Sequence, residues 1–254
     1  MLPIPDLADA ALVWAIFLLA GVVKGVTGFG LPTITLGLLA LTRSLPEAMA
    51  LTLAPAFATN VWQALAGGAF RPTLRRLWSF ALAGAAGAWL GAGVLLARTD
   101  AAQLSALLGV LLVASSALAL LGPPWPPPRP GRERWLQPLM GGASGLLAGL
   151  TGSFLVPAAP WLAALRLPPA QFVQGFALAV LAVMLPLGAG LARNGLLALE
   201  SGLTALAGLV PAFLGMAAGQ RLRARLPEAL FRRAVQAALL VLGLYLALRG
   251  ALAA

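Results

Sequence analysis

The sequence predicts an all-α integral membrane protein of about eight hydrophobic segments in two repeats of four, each repeat beginning with a Gly/Pro-broken helix. Three observations carry that prediction. First, 61% of the 254 residues are hydrophobic and only 9% are charged, with a mean hydropathy of +0.94; soluble domains carry about 25% charged residues. A chain of this length has no interior large enough to hide so much apolar surface from water, so lipid must solvate it. Second, the apolar runs are long and do not alternate. That suits helices crossing about 30 Å of hydrocarbon and excludes the roughly ten-residue alternation of a membrane β-barrel. Third, the two longest runs share a glycine-rich interruption followed by proline.

The runs fall at 10–41, 46–67, 74–97, 101–122, 137–165, 169–190, 196–220 and 229–249. Residues Met1 to Ala11 hold Asp6 and Asp9 and no basic residue, so the first run is expected to be retained and not cleaved as a signal peptide. It is too long for one plain span and reads AGVVKGVTGFGLPTITLG from Ala20 to Gly37. The fifth run contains GASGLLAGLTGSFLVPAAP, Gly142 to Pro160. Gly permits non-helical backbone and Pro withdraws a donor, so each of these two runs predicts a broken or re-entrant helix. Between them, GPPWPPPRPGRERW (Gly122 to Trp135) forbids regular helix until about Arg132 and reads as a semi-rigid linker. The expected division is a first transmembrane repeat at 1–122, a Pro/Arg-rich linker at 123–136 and a second repeat at 137–254.

Internal matches support a duplication. An offset of 124 residues puts Gly21 on Gly145, Gly25 on Gly149, Thr27 on Thr151 and Gly28 on Gly152. The same offset puts Gly84 on Gly208 and Gly91 on Gly215, and an offset of 123 puts Pro46 on Pro169. Such repeats are a signature of secondary transporters, whose substrate sites form where broken helices of the two halves meet.

The net charge of +10 does not indicate nucleic acid. Sixteen of the seventeen basic residues are Arg, and most sit between the apolar runs, where they meet headgroups and set topology. Cys and His are absent, which removes disulfides, thiol nucleophiles, the common zinc sites and imidazole relays. No metal and no cofactor is expected. The segments carry no acidic pair, which disfavours an enzyme.

Topology is ambiguous from sequence. Eight plain crossings would split the arginines evenly, with Arg43, Arg98, Arg166 and the five from Arg221 to Arg233 on one side. If instead the fifth run enters and returns and the N-terminus is cytoplasmic, twelve arginines face inside and four outside, as the positive-inside rule favours. The first run carries the same break and should behave alike, so the orientation stays open.

The candidate substrate-binding residues follow from the breaks. Lys24, the only lysine, lies inside the first run; it either attracts an anion or snorkels to an interface. Gly25, Thr27, Gly28 and Gly30 can turn amides inward, with Thr33 and Thr35 adding hydroxyls, and Gly149, Thr151, Gly152 and Ser153 can do the same from the other half. Together they suit a small dehydrated oxoanion held by neutral donors; close glycine packing of helices is the alternative. Asn60, Gln63 and Gln174 are amides in apolar runs and need interior partners, either lining a path or bonding a neighbouring helix. Glu200 is a weaker carboxylate candidate for proton coupling, and Glu47 reads as a helix-start residue.

The stretches GVVKGVTGFGLPTITL and SGLLAGLTGSFLVP, with the eight-segment layout over about Leu12 to Leu248, resemble the TauE/SafE family of membrane permeases. The resemblance implies export or uptake of sulfite or a related organosulfur or organic anion across a bacterial cytoplasmic membrane. The expectation is a secondary transporter working by alternating access, driven by a gradient since no ATP-binding motif is present. Its partners are then the small anion, the bilayer and a coupling proton or sodium ion. A small-solute channel, a non-catalytic subunit of a membrane complex and a homo-oligomeric assembly stay open.

Overall fold

The computed structural model describes residues 7–129, 131–197, 199–225 and 227–253; the side chain of Glu200 lies outside the described residues. Among the described residues the structure is helical, without strands. The first apolar run forms two helices, α1 (Leu7–Thr27) and α2 (Leu31–Leu39), and the next three form α3 (Leu45–Ala66), α4 (Phe70–Trp89) and α5 (Ala101–Leu120). α4 is prolonged by a π-helical turn at Leu90–Leu95 and a 3₁₀ turn at Leu96–Arg98. The second half follows as α6 (Glu133–Thr151), α7 (Ala158–Ala164), α8 (Pro169–Arg193), α9 (Leu199–Ala207), α10 (Leu209–Arg223) and α11 (Glu228–Ala253). Among the described residues, six helical stretches are long and apolar enough to cross a membrane: Ala8–Thr27, Phe70–Arg98, Ala101–Leu120, Pro169–Arg193, Gly202–Arg223 and Ala229–Leu252. Large apolar side chains such as Leu121, Leu185, Val210 and Leu248 are exposed on the outside, as a lipid solvent requires.

Both long runs break where the sequence places glycine. α1 ends at Gly28, whose φ of 88° only glycine adopts readily, and α2 restarts after Gly30 at φ 97° with Pro32 in its first turn. α6 ends at Gly152, φ 74°, and α7 follows. Each broken run also turns back. Arg43, just after α2, pairs with Asp9 in the first turn of α1 and with Glu47 in the first turn of α3. The chain therefore enters and leaves at the same end of the bundle. α6 starts beside the start of α4, joined by Arg76–Glu133 at 3.2 Å. The start of α8, which follows α7, returns to that end: Gly175 sits against Leu77 and Thr73 of the first turns of α4.

Helix directions follow from the close contacts. α1 and α10 run parallel, with Gly21 against the backbone of Ala212 and Gly25 against Met216 and Gly219. α6 and α4 likewise run parallel, with Gly145 against Gly84 and Gly149 against Ala88 and Gly91. A methyl group on Gly145 would lie 1.9 Å from the Gly84 carbonyl oxygen, so backbone meets backbone here as in small-residue membrane packing. α5 and α11 are antiparallel, Gly109 meeting Gly243 and Ala247 while Gly250 meets Ala102 and Ala106. α3 and α8 are also antiparallel, with Gly67 against Gln174 and Gly188 against Leu53.

These contacts repeat at fixed offsets. Gly28 packs on Val173 and Gly152 on Met49, each 124 residues apart from its counterpart. In the fourth element the packing runs at 128: Gly219 meets Val22 and Gly25, while Gly91 meets Leu146 and Gly149. Gly91 thus occupies the packing position of Gly219, not the Gly215 that the sequence match gave, and Gly87 occupies that of Gly215. One extra helical turn separates the two registers, which a fixed-offset search cannot see.

With these directions the arginines divide between the bundle ends. Arg71, Arg75, Arg76, Arg129, Arg132, Arg134, Arg166, Arg221, Arg223, Arg225, Arg232 and Arg233 lie at the linker end, and Arg43, Arg98, Arg193 and Arg249 at the other. The twelve-to-four asymmetry survives with both broken runs turning back, which removes the conflict met in the sequence.

Candidate functional site

The two breaks are built alike. The Gly28 amide donates to the Lys24 carbonyl at 2.8 Å and the Gly152 amide to the Ala148 carbonyl at 2.7 Å. The Thr27 hydroxyl lies 2.9 Å from the Val23 carbonyl, and the Thr151 hydroxyl donates to that of Leu147 at 2.7 Å. The Phe29 amide donates to Thr27 Oγ1 at 3.4 Å, and the Ser153 amide to Thr151 Oγ1 at 3.3 Å. A threonine, a left-handed glycine and a turned-back amide therefore recur in each half.

The breaks also meet. Thr33 Oγ1, in the first turn of α2, lies 3.4 Å from Ser153 Oγ, and both side chains are buried. Phe29 of one break and Phe154 of the other both contact the ring of Phe176 on α8, with centroids 5.2 and 6.0 Å away; Phe172 and Phe80 extend the wall. Buried hydroxyls beside an aromatic wall suit a small anion, because hydrogen bonds are stronger at a low local dielectric.

Lys24 does not snorkel. It is 1% exposed, one turn before the break, and makes no salt bridge among the described residues. A cation held so deep in an apolar segment is costly unless something negative joins it.

The remaining candidates separate into two groups. Gln63 Nε2 donates to the Gly28 carbonyl at 2.9 Å and its buried Oε1 has no partner, so this amide belongs to the break. Asn60 Nδ2 bonds the Ala56 carbonyl of its own helix at 2.7 Å. Gln174 bonds a neighbouring helix: Nε2 donates to the Ala64 carbonyl at 2.6 Å, and Oε1 accepts from the Ala69 amide at 3.1 Å. Gly25 and Gly149 face the backbone of α10 and α4, the helix-packing role. Gly30 has open space where a side chain would be, and Thr35 spends its hydroxyl on Leu31 and Pro32 carbonyls. Sequence reasoning overlooked the phenylalanines. Their signal was present, since Phe29 and Phe154 each follow the break glycine within two residues, but aromatic residues in an apolar run read as core.

Along nearly all of this architecture, residues 13–246, the chain matches the model of a protein family described as sulfite exporter TauE/SafE. The chain belongs to that family. TauE/SafE membership, with six apolar helices long enough to cross a bilayer, makes this a multi-pass membrane protein of a transporter family. Comparison with curated proteins and with solved structures gave no match.

Proposed function

We propose that this TauE/SafE protein is a secondary transporter that moves a small sulfur oxoanion such as sulfite by alternating access, holding it where the two breaks meet. The observation that carries the reading is the buried Lys24, without a salt bridge among the described residues, one turn before a break whose Thr33 hydroxyl reaches Ser153 of the other. Thr33, Ser153 and the unpartnered side of Gln63 supply polar contacts, Lys24 supplies charge, and the phenylalanine wall keeps water out. Most contacts are neutral, so the anion leaves without breaking several fixed ion pairs.

Two features support alternating access. Counterpart helices α3 and α8, and α5 and α11, run antiparallel to each other, the arrangement of inverted repeats related by an axis in the membrane plane. In addition, the two sides of the bundle differ: α8 packs along α4 through glycine contacts, while a groove of about 500 Å3 lined by Trp62 of α3 and by α10 residues such as Phe213 and Leu214 opens on the other side. An inverted pair in two different geometries is the condition for exposing a central site to one side at a time. The positive-inside rule places the twelve-arginine end in the cytoplasm and, by the Asp9–Arg43 pair, the start of α1 outside.

The test is uptake of radiolabelled sulfite into proteoliposomes holding only this protein, with and without a proton or sodium gradient. Saturable uptake is expected, abolished by the Gly28→Ala/Gly152→Ala pair and cut by Lys24→Met. No uptake by folded protein would remove sulfite from the reading. Conductance far above carrier turnover would replace the carrier with a channel.

A further inference from the structure

We infer that the groove between the first turns of α4 and α6, at the arginine-rich end, is a binding site for one anionic glycerophospholipid. The groove encloses about 730 Å3. Its polar end is formed by Arg76, Arg134, Ser79 and Gln137, and its apolar flank by Trp78, Leu82 and Trp135.

Charge, depth and chain corridor agree on the occupant. Arg76 is paired with Glu133 at 3.2 Å, whereas Arg134 has no salt bridge among the described residues and makes a cation–π contact, 5.3 Å from the Trp135 ring centroid. The three groups leave one positive charge, which one phosphodiester neutralises with charge-assisted hydrogen bonds. Trp78 and Trp135 are 58% and 70% exposed and mark headgroup depth, and Leu82, one turn deeper on α4, is 64% exposed where an acyl chain would run. Gln137 is 4% exposed; its Nε2 donates to the Arg76 carbonyl and to Ser79 Oγ, while Oε1 has no donor.

The fold alone does not require this chemistry. At the offsets that relate the two halves, Gln137, Arg134 and Arg76 correspond to Val13, Ala10 and Thr204, none of them charged. Basic pockets between transmembrane helices on the cytoplasmic side are suited to acidic lipid headgroups.

The experiment uses the full chain, delipidated in detergent, with native mass spectrometry and thermal unfolding in phosphatidylglycerol, phosphatidylcholine or soluble glycerol phosphate. One retained phosphatidylglycerol per chain and a raised Tm are expected, with neither effect from phosphatidylcholine. Arg134→Glu, an exposed change, should weaken retention about tenfold or more, since each basic group near the surface contributes on the order of 1 kcal/mol. Arg232→Glu, at the same end but outside the groove, should leave retention unchanged. Equal retention of the two lipids, or equal loss in both variants, would reduce the arginines to topology signals and overturn the site. Full competition by glycerol phosphate would overturn the lipid in favour of a soluble phosphate.

Discussion

Two interfaces of this molecule occupy equivalent positions in its halves and are built differently. Between α4 and α8 the seam is closed from end to end: Gly175 lies on Leu77, Gly84 faces Val183, and Gly190 meets the backbone of Ala92. Asn194 locks the last turn by donating to the Ala92 carbonyl at 2.8 Å. Beside α3 and α10, Trp62, Phe213 and Met216 line a surface groove, although Thr59 and Ala212 beneath it are fully buried. The π-helical turn at Leu90–Leu95 belongs only to the closed side; its counterpart, the last turns of α10, is regular helix. π-turns widen a helix at a local cost and cluster at functional positions. The α4–α8 seam thus carries a π-turn that the α10 side lacks, whereas the glycine crossings are the same in both halves.

The largest expected effect comes from breaking what the halves share. Gly145→Leu drives a side chain into the Gly84 carbonyl and should leave no monodisperse folded protein, whereas Gly84→Ala, with its nearest neighbour 3.3 Å away, should fold; size-exclusion profiles and Tm distinguish them. Next is Gln174→Leu, which strips two hydrogen bonds tying α8 to the end of α3 and orphans the Ala64 carbonyl and Ala69 amide. A loss of about 2–3 kcal/mol in chemical unfolding is expected. Lys24→Met should separate function from stability: anion uptake falls about tenfold, roughly 1.4 kcal/mol, while Tm holds or rises because a buried charge is gone. The smallest effect is Asn194→Ala, worth about 1 kcal/mol in stability. It should nevertheless loosen the seam selectively, seen as faster amide exchange at Leu90–Leu95 with no change at Gly21–Gly25.

Much of the fold was legible because lipid imposes long apolar helices and because glycine breaks them. The positions of the breaks and the paired caps at Thr27 and Thr151 are local consequences of residue type. Three features were not local. The return of α1–α2 to its own end depends on Arg43 reaching Asp9, a pairing across 34 residues that no pattern announces. The 128-residue register of α4 and α10 is hidden by the extra turn. The amides divide by tertiary partner: Gln63 caps a break and Gln174 splices two helices, although both read alike as buried polar residues in apolar runs.

The most direct test measures both interfaces at once in proteoliposomes. The chain has no cysteine, so spin labels can be placed at Trp62→Cys and Leu214→Cys across the groove, and at Leu82→Cys and Leu185→Cys across the seam. All four positions are exposed on the outer surface. With sulfite and a gradient, the groove distance should shorten in a fraction of molecules while the seam distance lengthens in a matching fraction. Both distances unchanged while sulfite is being taken up would contradict exchange between the two interfaces.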